Sequence, residues 1–223
     1  AKTARIRGLQ THKKKLERST PGSRLAINLS GIDVAEVARG NLIAPPGTLT
    51  PARLVDVQFH HLPDSGAPLK DGALVKFFVG AAETMATVRV LAQRDKTLAP
   101  GQTGWLQLAL AGPVSVRRGD RFILRRHSPG VTLGGGAILD PEPRRKHRAR
   151  EVAAVAARLE TLARGTPGEV LLNAVESLGP GPLVEAVRRA GLDEAAARAA
   201  LIELESGGLL LALEAGEWSP AAK

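Results

Sequence analysis

Cysteine is absent from this 223-residue chain, which excludes disulfides, thiolate-ligated zinc and thiol catalysis. The absence fits a reducing, cytoplasmic compartment. Tyrosine is absent too, and aromatic residues make up 3% of the chain, too few for the stacking platforms with which single-strand binders hold bases. No apolar run approaches the roughly 18 residues of a membrane span, so no membrane partner is expected. The opening Ala1-Lys2-Thr3-Ala4-Arg5 leads into no apolar signal-peptide core. Residue 1 is not methionine, and the sequence reads as a portion of a longer protein. Apolar residues at 43% and charged residues at 24% give an ordinary globular balance. Charge is unevenly spread within a net of +9: residues 1–150 hold 25 Lys/Arg against 11 Asp/Glu, and residues 151–223 hold 6 against 11. A basic body is joined to an acidic appendage.

The composition breaks at Asp140-Pro141-Glu142-Pro143, followed by Arg144, Arg145, Lys146, His147, Arg148 and Arg150. Two prolines hold their neighbours extended and the like charges repel, so the stretch reads as an interdomain linker. Before it the pattern is β. Residues 24–29 and 53–59 alternate with period two, and further strands are expected at 73–79, 84–91, 104–110, 120–126 and 131–139, separated by Gly, Pro and Asp turns. Short strands at regular spacing with no amphipathic helix between them argue for barrels or sandwiches. A second boundary falls in the proline-rich Ile43–Pro51. After the linker, helices are expected at 150–164, 168–178, 182–190 and 193–206, with Asp193 capping the last and Gly207-Gly208 stopping it. An apolar extended run at 209–213, a turn at Ala215-Gly216 and Glu217–Pro220 complete a small hairpin. Three helices followed by a hairpin are a winged-helix arrangement.

The catalytic inventory is thin, and no catalytic or metal site is assigned. The chain has no phosphate-binding Gly-x-x-x-x-Gly-Lys loop, no His-Glu-x-x-His and no Gly-x-Ser-x-Gly. His60 and His61 are adjacent on a strand, so they point to opposite faces and cannot share an ion. Gly134-Gly135-Gly136 lacks the following helix of a phosphate loop and reads as a tight bend in a barrel strand. The basic residues are more informative. Lys13, Lys14 and Lys15 sit in a hairpin-like segment, Arg117, Arg118, Arg121, Arg125 and Arg126 decorate another hairpin, and the linker adds five cations within seven residues. Such an excess implies a polyanionic partner. RNA is favoured over DNA, because the basic half offers no helix for a major groove.

At Arg5–Glu17, Pro21–Gly31 and Ala38–Ala44 the sequence closely resembles the second domain of translational GTPases of the elongation factor Tu type, in the form found in selenocysteine-specific elongation factors. Residues 52–140, with Gly119-Asp120-Arg121-Phe122-Ile123-Leu124-Arg125 and the ending Thr132–Asp140, resemble that family's third domain. A basic linker and then winged-helix modules follow in the selenocysteine factors but not in elongation factor Tu. The resemblance implies a mainly β protein: a partial second-domain barrel at 1–47, a six-stranded third-domain barrel at 48–140, a basic linker and helix at 141–166 and a winged helix at 167–223. It implies that Ser23 and Arg24 face the aminoacyl group, where factors for the standard amino acids have Glu and Asn. A fixed guanidinium favours a selenolate over a neutral serine hydroxyl. Arg39 and Asn41 match positions at the tRNA acceptor end, and Lys13, Lys14, Lys15, Arg117 and Arg118 are the further tRNA-binding candidates. The implied partners are selenocysteyl-tRNA, the ribosome and, through further winged-helix modules, a selenoprotein mRNA hairpin. The family's GTPase domain, which would bind GTP and magnesium, has no counterpart in this sequence, so no hydrolysis and no cofactor are expected of these residues. Two alternatives stand beside this reading: the C-terminal domains of a general translational GTPase, and a non-translational winged-helix regulator. The second is opposed by its own recognition helix, which carries Asp193, Glu194, Glu203 and Glu205 against Arg198 alone.

Overall fold

The computed structural model describes residues 2–91, 95–212 and 217–221. The chain divides into two compact units, residues 1–46 and 47–223. The first is built on a three-stranded antiparallel sheet of β1 (Arg5–Thr11), β2 (Lys14–Leu16) and β3 (Ala26–Ser30), in the order β2-β1-β3. His12 and Lys13 both take positive φ, 44° and 65°, with Thr11 opposite Lys14. That is the two-residue turn whose twist matches the flanking strands. A single helical turn, Val34–Glu36, is closed by Asp33 and Glu36 in a reciprocal cap.

The second unit opens with β4 (Pro51–His61), then β5 (Leu69–Lys70), β6 (Leu74–Val79), β7 (Ala82–Leu91), β8 (Thr97–Leu98), β9 (Thr103–Ser115), β10 (Arg121–Arg126) and β11 (Thr132–Asp140). Six of these close into an antiparallel barrel in the order β10-β11-β4-β9-β7-β6, while β5 and β8 form a separate pair. Period-two alternation sends Val55, Val57, Phe59 and His61 of β4 inward, beside Leu106 and Leu108 of β9 and Phe122 and Leu124 of β10. Phe122 stacks on Phe77 and Phe59, with ring centroids 5.5 and 6.3 Å apart.

The glycine run of β11 lies between β4 and β10, where the backbones nearly touch. A Cβ on Gly134, Gly135 or Gly136 would lie 2.0 Å from the His60 carbonyl oxygen, 2.6 Å from that of Phe122 or 1.8 Å from that of Gln58. The run closes the barrel and cradles no phosphate. His61, fully buried, has Nδ1 3.0 Å from the Leu98 carbonyl oxygen and Nε2 2.7 Å from Ser65 Oγ, whereas exposed His60 has Nδ1 3.0 Å from Thr103 Oγ1. The two rings face opposite ways, as adjacent strand residues must.

After the barrel come α1 (Val152–Arg164), α2 (Pro167–Leu178), β12 (Gly181–Pro182), α3 (Leu183–Ala190), α4 (Glu194–Ser206), β13 (Leu210–Ala212) and β14 (Glu217–Pro220). Helices α2–α4 with a β12-β14-β13 sheet form the winged helix. Thr166 and Glu169 form a capping box at α2, and the Asp193 side chain accepts from the Ala196 amide at α4. The expected turn at Ala215-Gly216 lies outside the described residues. No described helix is long and apolar enough to cross a membrane.

Residues 141–150, which their prolines and like charges mark as an interdomain linker, lie against both the barrel and the helices. Outward-facing Leu91, Trp105 and Leu139 of the barrel share one apolar cluster with Val155, Leu159 and Leu162 of α1 and with α2–α4. Around it runs an ion-pair network. Asp56 faces outward on β4 yet has no exposed surface, because Arg158 (2.9 Å), His147 (2.7 Å) and Gln107 (2.9 Å) surround its carboxylate. Asp140 pairs with Arg158 at 2.7 Å and Arg189 at 3.2 Å, and Arg188 grips Glu142 through two bonds of 2.9 and 3.3 Å. Burial alone would raise the Asp140 carboxyl, but Arg189 and Arg158, with the Glu142 amide, hold it below the usual carboxylate value. Asp56, Asp140 and Glu142 thus hold His147 and the helix arginines Arg158, Arg188 and Arg189, and barrel and helices form one unit.

Two outcomes follow from this architecture. Gly136→Ala should cost more than about 3 kcal/mol or abolish folding, because overpacking here strikes backbone; Gly181→Ala, with open space around its Cβ, should be nearly silent in the same denaturant titration. Burial pushes His61 below 6.5, outweighing its backbone hydrogen bonds to Leu98 and Ala99. The unfolded chain therefore takes up a proton that the folded chain resists as pH falls below 6.5. Stability should be complete above that value and decline beneath it, by at most about 1.4 kcal/mol per pH unit. Melting curves between neutral and mildly acidic pH should show this slope, and His61→Gln should flatten it.

Candidate nucleic-acid interface

In the first unit the strand register gathers cations at one end of the sheet. Lys13 occupies the tip of the β1–β2 turn, Lys14 opposes Thr11 and Lys15 opposes Gln10. All three lysines are exposed. Arg24 lies just before β3, whose Ala26 pairs with Gln10 on the other edge of β1, so it reaches the same end. The Thr11 hydroxyl donates to the Arg24 carbonyl at 2.7 Å, tying the backbone of the arginine to the hairpin. The Arg24 guanidinium is exposed and has no hydrogen bond or ion pair among the described residues. Ser23, also exposed, has Oγ 3.3 Å from Thr20 Oγ1. Thus Lys13, Lys14, Lys15, Ser23 and Arg24 form one solvent-facing, largely basic cluster at one end of the sheet, the kind of surface that holds phosphate groups by charge rather than by sequence.

Arg39 and Asn41 occupy a separate turn. The Asn41 side-chain oxygen accepts from the Ala38 amide at 2.7 Å, and the Asn41 amide donates to the Ala38 carbonyl at 3.1 Å. Gly40 takes φ 97°, which few residues other than glycine adopt. Asn41 therefore shapes the turn, and Arg39 is presented, exposed, within it.

The two arginines of the second unit part company. Arg117 is exposed at the β9–β10 turn, where its amide donates to Asp120 at 2.7 Å. Arg118 is not part of an open basic surface. Its guanidinium turns onto the helices and donates to the carbonyls of Leu162 (2.5 Å) and Ala190 (3.1 Å), near the C-terminal ends of α1 and α3. A cation there also meets the negative ends of two helix dipoles. Burial lowers the Arg118 pKa from its usual value. In sequence Arg117 and Arg118 look alike; which one points outward is set by the turn and by helices some 40 to 70 positions away, as the Leu162 and Ala190 bonds record. Asp56, Asp140 and Arg158 carried no such signal either, since an outward-facing aspartate on a strand ordinarily meets water.

A model of the family described as "Selenocysteine-specific elongation factor, beta-barrel domain" matches residues 56–145. A selenocysteine-specific elongation factor from Desulfomicrobium baculatum is 37% identical over 190 residues, which are 85% of this chain and 29% of that protein. A crystal structure of the bacterial selenocysteine-specific elongation factor EF-Sec superposes with a TM-score of 0.73 at 22% identity, covering 97% of this chain and 32% of that one. The chain thus spans about three-tenths of the length of the relatives it matches.

The placement of the paired arginines separates two effects. Arg118→Ala should lower stability by about 1.5–3 kcal/mol, the scale of charged hydrogen bonds, and leave RNA affinity nearly unchanged. Arg117→Ala should do the reverse, weakening RNA binding at low salt with no change in melting temperature. Thermal melts and a binding titration on the two variants check this.

Proposed function

This chain belongs to the selenocysteine-specific elongation factors, and from that footing we propose that its first unit holds the aminoacyl and acceptor end of selenocysteyl-tRNA, for delivery to the ribosome at a recoded UGA codon. The observation that carries the reading is the exposed Arg24 guanidinium, without a hydrogen bond or ion pair among the described residues, its backbone tied to the Thr11 hydroxyl at the end of the sheet where Lys13 and Lys14 also stand. A selenol is ionised near neutral pH and a serine hydroxyl is not. An arginine that has no competing carboxylate discriminates between them by charge, while the lysines meet phosphates that both ligands share.

On this reading Arg39, presented by the Asn41-closed turn, approaches the acceptor end. GTP and magnesium are held elsewhere in the intact factor, so hydrolysis is not the work of these residues, and the protein acts in the cytoplasm. The winged helix contributes little to RNA affinity, because α4 carries Glu194, Glu203 and Glu205 against Arg198, and Arg188 and Arg189 of α3 are engaged with Glu142 of the connection and Asp140 of the barrel.

The test is a ratio. In the intact factor, Arg24→Ala should weaken selenocysteyl-tRNA binding about ten- to hundredfold, the equivalent of about 1.5–3 kcal/mol, while seryl-tRNA on the same RNA body is nearly unaffected. Arg24→Lys should restore part of the loss, since an ammonium is more strongly hydrated and lacks the planar fork. Equal losses for both charged tRNAs would remove Arg24 from selenolate recognition.

A further inference from the structure

The stretch read as an interdomain linker is held against the outer wall of the barrel. Buried Gln107 of β9 holds it from both sides: its side-chain nitrogen lies 3.3 Å from the Arg145 carbonyl, and its oxygen accepts from the His147 amide at 3.1 Å. The His147 ring turns inward to Asp56. With His147 facing in, Lys146 and Arg148 on either side of it are exposed, and Arg150 follows, its side chain about three-quarters exposed. The Lys146 side chain has no hydrogen bond or ion pair among the described residues, Arg148 meets Glu151 only through its longer-range charge, and Arg150 has only a 3.9 Å approach to Glu151. Glu151, the one acid among them, is met by Arg145 at 2.8 Å. Arg144 is partly engaged, donating to the Leu178 carbonyl at 2.8 Å.

We propose that Lys146, Arg148 and Arg150 form a pre-ordered basic ridge that contacts the phosphodiester backbone of RNA, separately from the Lys13–Arg24 cluster. The proposal rests on the reading above that the partner is RNA. Its physical basis is that the backbone beneath the ridge is already fixed by Gln107 and His147, so binding does not have to order it. Unpaired cations on a fixed backbone release counterions from a polyanion without first breaking internal ion pairs.

The probe is a short fluorescein-labelled RNA duplex, titrated by anisotropy against the whole chain over a series of salt concentrations. Substituting Lys146→Gln, Arg148→Gln and Arg150→Gln together should reduce the slope of log affinity against log salt by about two to three, roughly one per lost phosphate contact. The melting temperature should stay unchanged, since all three side chains are exposed. The charge-preserving set Lys146→Arg, Arg148→Lys and Arg150→Lys should retain the slope. Gln107→Leu, which keeps every cation but frees the segment, should weaken binding with the slope retained. A Gln triple variant with unaltered slope overturns the ridge. If Lys13→Gln with Lys14→Gln still lowers the slope in that case, the ridge fails while the reading of the first unit stands; if the unaltered chain does not bind the duplex, both fail.

Discussion

Asp56 is a carboxylate without exposed surface on the outer wall of a barrel, and its neutralisation organises the second unit. Arg158 from α1 and His147 from the connecting stretch converge on it, and Gln107 bonds both the carboxylate and the backbone of that stretch. Arg158 also reaches Asp140, which Arg189 of α3 shares. A chain of alternating charges thus runs from β4 through the connection into two helices. Buried pairs of this kind add little net stability over apolar packing, but losing one partner costs about 3–5 kcal/mol. What they supply is geometry: one arrangement of barrel and helices satisfies all the charges.

The barrel strands were legible because inward and outward positions alternate, and α4 because Asp193 caps its start. The strand expected at 24–29 begins at Ala26, and that at 53–59 extends to Pro51–His61, since pairing partners rather than local pattern set the ends. The short strands β5 and β8 gave no pattern, being two residues each. The connection lies on the barrel for a reason that local pattern does not show: Gln107 bonds its backbone and Asp56 meets the His147 ring, and both partners are distant in the chain.

The candidate site was legible in part. Lys13, Lys14 and Lys15 announce themselves as a run, and Arg24 was singled out by resemblance. That Thr11 joins the hairpin to Arg24 depends on register, which the sequence pattern does not specify in so short a sheet. Arg118 shows the opposite case, a cation whose surroundings are supplied by helix ends distant in the chain.

The two units also differ in how their sheets end. The barrel closes on itself, whereas among the described residues β2 and β3 are the outer strands of a three-stranded sheet. Open edges invite a second chain to add a strand, the first step of aggregation. Strand β2 is only three residues long and two of them are lysines, so a neighbouring copy would have to bury like charges against its own. Lys14 and Lys15 therefore set like charges along that edge, which oppose the addition of a second strand.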